Sequence, residues 1–273
     1  MAFPEVPRVF YEISPLDEVI CQFKFPPILR IEAELPAAFQ EQVRGEFPLF
    51  DTIDASPLPP DIPEDLARVL QSTPGGATLE HQFTFGDQRS TWQLRLARSR
   101  LGLACCGYTR WEQFRERFVE PHRALLTHYR PAVFQHVCLR YRNVIRRSQL
   151  ELGDDVPWSE LLEPWVCGFL AAPGVAGHVE MARAKAATRL AGEIGWLDVE
   201  YGLAQEGPTG EQSFVIDAHL FDNRDTRPSD AFDKLDLLHR QAGHFFRWCI
   251  TDRLHDALRP QPSSVAITGG ERA

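Results

Sequence analysis

The sequence lacks the short motifs that identify the common nucleotide-binding and hydrolytic sites. It has no G-x-S-x-G, no Walker loop and no G-x-G-x-x-G, and its six cysteines include no C-x-x-C pair. Those motifs place a nucleophile, a phosphate cradle or a thiol pair at a fixed spacing. The sequence therefore supports no recognised catalytic class, and we expect reduced cysteines in the core of a cytoplasmic protein.

Long apolar runs and a basic, apolar leader are also lacking. The N-terminal residues MAFPEVPRVFYEIS do not have the regions of a secretory signal. The longest weakly polar run, Trp165 to Gly177, is interrupted by Pro173 and is too short to cross a bilayer. A net charge of −9 argues against general attraction to nucleic acid or to an anionic membrane. We expect a cytoplasmic protein without a membrane partner.

Acidic residues are missing from two segments of a chain that otherwise carries 38 of them. None occurs between Pro121 and Leu150, and none occurs from Met181 to Gly192. The first gap contains a predicted central strand at residues 133–147, whose alternation separates an apolar face from a basic one. The apolar face has Val137, Leu139, Tyr141, Asn143 and Ile145, and the other face has Arg140, Arg142, Val144 and Arg146.

The order of predicted elements repeats on the two sides of this strand. Each half reads as a strand, a helix, a three-strand meander and a long helix, and in the second half the helices are predicted near residues 158–170 and at about 229–258. We predict an α+β fold of duplicated β-α-β-β-β-α halves, with mostly antiparallel curved sheets and long helices packed on one face. The halves are residues 1–131 and 132–258, as two domains or one continuous domain. Residues 259–273 are predicted to be a disordered tail, and residues 51–77 a loop with one short helix at 64–71.

The basic strand face is the sharpest candidate site. If the strand predicted at 179–190 lies near the central strand, one surface would carry a set of cations able to bind phosphate. The set is Arg140, Arg142, Arg146, Arg183 and Lys185. The alternative is that Asp198, Glu200 and Asp217 on neighbouring strands neutralise these cations in a ladder of ion pairs.

Two weaker patterns involve histidine. Asp217, His219 and Asp222 form D-x-H-x-x-D, which offers two metal ligands on one strand face but no third at a recognised spacing. An ion-paired strand end is the alternative. His239 and His244 lie five residues apart on a predicted helix, which is not metalloprotease geometry. We predict no metal site, no cofactor and no catalytic residue.

Three segments carry a resemblance to a known family. They are Pro15 to Pro26 as an opening strand, Tyr108 to Phe114 as a helix start, and Leu139 to Asn143 as a central R-Y-x-N strand. These segments resemble an uncharacterised protein family that is sporadically distributed in bacteria and archaea. The resemblance implies a shared fold and a role as a variable accessory, for example in stress or phage-defence loci. The residues that it marks are Arg140, Tyr141, Asn143, Asp217 and His239.

Three functions remain as hypotheses. The first is a non-enzymatic cytoplasmic interaction protein with an unidentified protein partner. The second is a protein that binds nucleic acid, a nucleotide or another phosphorylated ligand through the basic strand face. The third is an unrecognised hydrolase that uses Asp217, His219 or His239. A homodimer formed through sheet edges or helices is a further expectation.

Overall fold

The computed structural model describes residues 3–55, 80–153, 155–205 and 210–262. This part of the chain contains seven α-helices and eleven strands, nine of which form one antiparallel sheet. The predicted α+β class is therefore confirmed. None of the helices in these ranges has the length and apolar character needed to cross a membrane.

Several strands alternate between buried and more exposed positions, whereas others are buried or exposed along nearly their whole length. Their bounds are β1 Val9–Tyr11, β2 Leu16–Lys24, β3 Leu49–Ala55, β4 Glu80–Gly86, β5 Trp92–Ala97, β6 Arg100–Cys105, β7 His136–Ile145, β8 Arg183–Arg189, β9 Trp196–Gln205, β10 Gln212–Asp222 and β11 Pro260–Pro262. The central strand β7 buries all five residues of its predicted apolar face, from Val137 to Ile145. That prediction is confirmed, because only a strand places every second residue on one face.

Two helices are long and the other five have four to seven residues. They are α1 Arg30–Ala33, α2 Ala37–Val43, α3 Trp111–His128, α4 Trp158–Leu161, α5 Pro164–Cys167, α6 Ala231–Cys249 and α7 Asp252–Ala257. The long helices α3 and α6 agree with the sequence prediction, since each places apolar side chains along one stripe.

The strand order of the large sheet is β3-β4-β5-β6-β2-β7-β10-β9-β8. Among the described residues, β3 and β8 are its two edges. In each predicted half, the strand before the meander lies beside the last strand of that meander, β2 beside β6 and β7 beside β10. Duplication of the halves and curvature of the sheet stay predictions.

The chain divides into two compact units, each built from separated stretches of sequence. The first unit is Met1–Asp17, Tyr141–Leu220 and Leu237–Ala273. The second unit is Glu18–Arg140 and Phe221–Asp236. These boundaries do not fall near residue 131, so the units differ from the halves 1–131 and 132–258, whose role as domains stays a prediction.

Aromatic stacking forms the core of the second unit. The Phe23 ring of β2 stacks on Phe118 of α3 and on Phe134, with centroid separations of 5.0 and 4.7 Å. Phe232, at the start of α6, meets the Phe23 ring edge-on at 6.1 Å. Such pairs add to the free energy gained from burying the rings. His122 of α3 lies among these rings and is itself buried.

The first unit has its own aromatic cluster and a short second sheet. Trp165 of α5 stacks on Trp248 of α6 at 4.1 Å and also meets the Tyr201 ring of β9. Strand β1 pairs with β11, which places Val9 opposite Pro262. Residues 260–262 are therefore ordered, contrary to the prediction that a disordered tail begins at 259. Residues 263–273 lie outside the described residues.

Three predictions of local structure are wrong. Residues 51–55 belong to β3 and not to a loop, whereas the short helix predicted at 64–71 lies outside the described residues. The helix predicted at 158–170 is two short helices and a 3₁₀ turn, because Pro164 begins a new helix. The helix predicted at 229–258 is broken after Cys249, where Thr251 accepts a hydrogen bond from the Leu254 amide and caps α7.

Candidate functional site

The apolar face of β7 carries two of the family-motif residues in structural roles. The Tyr141 hydroxyl and the Nδ1 atom of His239 on α6 lie 2.8 Å apart, within the first unit. The Asn143 amide donates to the Ile216 carbonyl at 3.5 Å, and both residues are buried. Buried polar groups need such partners, because an unsatisfied one destabilises the fold. These contacts explain why a strand with a core face contains Tyr and Asn.

The opposite face of β7 carries cations that already have carboxylate neighbours. In the second unit, Arg140 Nη1 lies 4.0 Å from Glu18 Oε2. In the first unit, Arg142 Nη1 lies 3.1 Å from Asp17 Oδ2. The prediction named acids on other strands, whereas Asp17 and Glu18 come from β2. The consecutive acids Asp17 and Glu18 could have indicated this pairing only if the neighbouring strand had been known.

The cations of β7 and β8 are separated by the strand order. Two strands, β10 and β9, lie between β7 and β8. At about 4.8 Å per strand, Arg142 and Lys185 belong to strands about 14 Å apart, so one small anion cannot bridge them. Arg146 follows the end of β7 and interacts with Glu211. Burial acts to raise the pKa of Glu211, but hydrogen bonds from Ser148 lower it below its usual value, and Arg146 adds a smaller lowering effect. The shared phosphate site stays a prediction.

All seven residues of β8 are exposed, as are residues 49–53 of β3 at the opposite edge of the sheet, but only β8 carries a row of cations along its exposed length. It pairs with β9 only on one side among the described residues, in the register Arg183↔Gly202 to Arg189↔Trp196. Strands of a packed sheet are normally covered on at least one face. Here the alanines that face the same side as the buried Leu197 and Val199 of β9 are uncovered.

Two backbone hydrogen bonds show which peptide groups of β8 point outwards. The Leu203 amide donates to the Ala182 carbonyl at 2.9 Å, and the Leu190 amide donates to the Gly195 carbonyl at 2.8 Å. In an antiparallel pair, every second residue directs both backbone groups to its partner. The even-numbered residues therefore bond to β9. The odd-numbered residues, 183, 185, 187 and 189, direct their N–H and C=O groups to the free edge.

The same odd-numbered residues carry the positive charges of β8. Arg183 Nε lies 3.6 Å from Glu200 Oε1, and both side chains are largely exposed. Lys185 is opposite Glu200 in the register, but no carboxylate of the described residues lies within ion-pair distance of its ammonium group. The Arg189 guanidinium lies 4.8 Å from the centroid of the Trp196 ring, a cation–π contact. The charged face of β8 is thus only partly neutralised.

Exposed apolar side chains precede β8 in the chain. Phe169 is 75% exposed and Met181 is 81% exposed, and Val175 is also exposed. Large apolar side chains at this level of exposure in one segment of 13 residues are typical of a surface that binds a partner. We call β8 with its charged and alanine-bearing faces the β8 edge, and the sequence had signalled it only through the absence of acids.

The residues of the D-x-H-x-x-D pattern do not share one role. Asp217 and His219 take alternate, half-buried positions on β10 in the first unit. Asp222 is buried at the strand end in the second unit, where its carboxylate accepts hydrogen bonds from Arg224 and Lys234. Burial acts to raise the pKa of Asp222, but these two cations lower it below its usual value. Asp222 therefore stabilises the fold as an ion-paired strand end.

The cysteines have the properties of core residues. All six are free, and only Cys106 is exposed. Burial raises the pKa of Cys105 to about 11 and that of Cys138 to about 12. Thiolates are the reactive form of cysteine, so these thiols are not activated nucleophiles at neutral pH. The prediction of reduced core thiols describes five of the six.

One cleft of about 500 Å³ lies at the end of α3 in the second unit, lined by Arg30, Thr127, His128, Tyr129 and Arg130. Arg30 donates a hydrogen bond to the His128 carbonyl and lies over the Tyr129 ring. His128 Nε2 in turn contacts the Gln42 amide oxygen at 3.1 Å. These contacts link α1 and α2 to the end of α3, which is a structural role.

Comparison with models of protein families gives no match for this chain, and comparison with curated proteins gives none either.

Proposed function

We propose that this protein is a non-enzymatic binding protein that recognises a protein partner by strand addition at the β8 edge. What supports the proposal is a strand whose seven residues are all exposed and whose odd-numbered peptide groups point to a free edge. An extended segment of a partner can form main-chain hydrogen bonds to such an edge, with side-chain contacts giving specificity.

The alternative explanation of the β8 edge is protection against aggregation. Charged side chains, lysine above all, discourage accidental strand pairing, and β8 has Arg183, Lys185 and Arg189. Protection does not require the exposed Phe169 and Met181 that precede the strand. Their exposure favours a binding surface, because large exposed apolar side chains otherwise increase the risk of aggregation.

The other two functions have less support. Arg140 and Arg142 each have a carboxylate within ion-pair distance, and β10 and β9 separate β7 from the cations of β8, so one phosphate cannot contact the whole predicted set. His239 contacts the Tyr141 hydroxyl, which gives it a structural partner. Neither observation provides a nucleophile with an adjacent base, which a hydrolase needs.

We extend the proposal to the location and origin of the protein. It is cytoplasmic and belongs to the R-Y-x-N family of bacteria and archaea, where it acts as an accessory. The contact between two family-motif residues, Tyr141 and His239, supports membership. The same strand order in each half, β2 beside β6 and β7 beside β10, supports an origin by duplication. A curved sheet with the long helices on one face is part of the same proposal.

The test of the proposed function is a proline at the free edge. Ala187→Pro removes an outward N–H and leaves the β9 ladder intact, because Ala187 bonds away from β9. Ala187→Ser is the matched control, since it keeps the N–H. Full-length wild type and both variants are used to capture proteins from extracts of the source cell, with quantitative mass spectrometry.

We expect wild type and Ala187→Ser to retain the same protein, and Ala187→Pro to lose about tenfold or more of it. Circular dichroism and urea unfolding should show equal folding of all three chains. Equal capture by Ala187→Pro, or no protein retained above background by the wild type, would contradict the proposal.

A further inference from the structure

We infer that the segment recognised at the β8 edge is an extended acidic strand with an apolar second face, which pairs antiparallel to Arg183–Arg189. This inference rests on the proposed function and names the chemistry of the partner. It follows from the two faces of β8 and from the direction of its free peptide groups.

The charged face of β8 sets the first requirement. Arg183, Lys185 and Arg189 lie at odd positions, so their side chains share one face of the strand. Residues directly opposite in an added strand would point to the same side, where carboxylates form favourable cross-strand pairs. The existing contact between Arg183 and Glu200 is exposed on both sides and is worth little in water, so a partner carboxylate can share this cation.

The second face sets the other requirement. Ala184, Ala186 and Thr188 are exposed, and their register partners on β9 are Tyr201, Val199 and Leu197. Leu197 and Val199 are buried. The buried face of the sheet therefore ends at the small side chains of Ala184, Ala186 and Thr188, which are the last on that face. An added strand with apolar side chains on this side would cover the alanines and extend the buried surface.

Together the faces define a sequence pattern. Read in the antiparallel direction, the added strand meets Arg189 first, then Lys185 and then Arg183. Acidic residues are needed opposite these three, and apolar residues at the positions between them. The heptapeptide EVTVEVE fits, with its glutamates opposite the cations and its valines opposite Thr188, Ala186 and Ala184.

A second copy of this chain and a nucleic acid fit less well. If the β8 strands of two copies paired antiparallel with their charged faces on the same side, Arg183 of one copy would lie opposite Arg189 of the other. Like charges directly opposite one another are destabilising. A nucleic acid could meet the cations, but it offers no peptide groups at strand spacing to the free edge. The pattern of charge, apolar surface and backbone therefore points to a polypeptide.

The test uses the full-length ¹⁵N-labelled protein and capped EVTVEVE at low salt. Amide shifts of residues 183–189 in the NMR spectrum report where the peptide binds, and their saturation gives the affinity. Three probes serve as controls: the scrambled peptide EEEVVVT, the basic peptide KVTVKVK and a thymidine decanucleotide. We expect saturable shifts with EVTVEVE, at least about tenfold weaker binding of the scrambled peptide, and none of the basic one.

Charge reversal gives a second readout. The double variant Lys185→Glu with Arg189→Glu should prefer KVTVKVK over EVTVEVE, whereas Lys185→Arg should behave like the wild type. N-methylation distinguishes strand addition from simple charge attraction. Methyl groups on the three glutamate nitrogens should abolish binding, because these N–H groups face β8, whereas methyl groups on the valine nitrogens should not.

The outcomes separate this inference from the proposed function. Loss of partner capture in Ala187→Pro, together with no binding of EVTVEVE, would leave the proposed function in place and overturn the acidic strand. Equal binding of EEEVVVT or of the decanucleotide would also overturn it, because the site would then recognise charge alone. If Ala187→Pro captured as much partner as the wild type and EVTVEVE did not bind, both the proposed function and the acidic-strand inference would be overturned.

Discussion

A neutral histidine in the core of the second unit should make this protein less stable in mild acid. His122 lies 5.1 to 5.8 Å, centroid to centroid, from the rings of Phe23, Phe134 and Phe232. Burial lowers the pKa of His122 to about 4, although a hydrogen bond to the Pro228 backbone acts in the opposite direction. The ring therefore stays uncharged in the folded protein down to about pH 4.

The size of the effect follows from the two proton affinities of His122. In the unfolded chain its pKa is the ordinary value of 6.5, and in the folded protein it is about 4. Between these values the unfolded chain binds more protons, so the free energy of unfolding falls as the pH falls. Each pKa unit of difference between the two states corresponds to about 1.4 kcal/mol, so full protonation of His122 lowers the free energy of unfolding by about 3 kcal/mol. Roughly 2 kcal/mol of it should be lost between pH 7.5 and 5.

Urea unfolding of the wild type and of His122→Phe at pH 7.5 and pH 5 measures this loss. Phenylalanine keeps an aromatic ring among the three others and cannot bind a proton, although it loses the bond to Pro228. That loss costs about 1 kcal/mol at both pH values. We expect the wild type to lose about 2 kcal/mol more than His122→Phe when the pH falls. Equal losses in the two proteins would show that His122 does not carry the acid sensitivity.

Two further substitutions test the contacts of the first unit. Tyr141→Phe removes the hydroxyl that contacts His239, so it should lower the free energy of unfolding by about 1–2 kcal/mol in urea titrations. An unchanged free energy of unfolding would show that this contact does not stabilise the fold. Gly202→Ala places a methyl group against the Ala182 carbonyl, where the φ of +155° also favours glycine. This substitution should weaken the β8–β9 pairing by about 1–3 kcal/mol. Amide hydrogen exchange should then be faster across both strands, and unchanged exchange would refute this reasoning.

Periodicity predicted the buried elements well because burial is what produces periodicity. The core faces of β2 and β7 and the stripes of α3 and α6 were all visible as spacing of apolar residues. Strand β3 was missed because its Leu49, Phe50 and Ile53 are exposed and follow no core pattern. The break after Cys249 was missed because it depends on Thr251 bonding to the distant Leu161 carbonyl and to Leu254.

The candidate site could be predicted only in part. The absence of acids between residues 181 and 192 marked the cations of β8, but not their surroundings. Partners of Arg140 and Arg142 depend on β2 lying beside β7, and a sequence carries no direct record of which strands are neighbours. Exposure of both faces of β8 is likewise a property of the assembled sheet, because an alanine-rich alternation is equally typical of a covered strand.

The composition of β8 also explains how the strand can exist without cover. Three of its seven residues are alanines, which expose little apolar surface, so leaving them in water costs less than it would for valine or isoleucine. In return the strand gains little from burial, and it depends on the β9 ladder and on the close approach that Gly202 permits. An element held mainly by backbone bonds on one side has low local stability. A partner strand that pairs with its other edge would raise that stability by an amount that grows with the partner's concentration relative to its Kd, which links order at the β8 edge to occupancy.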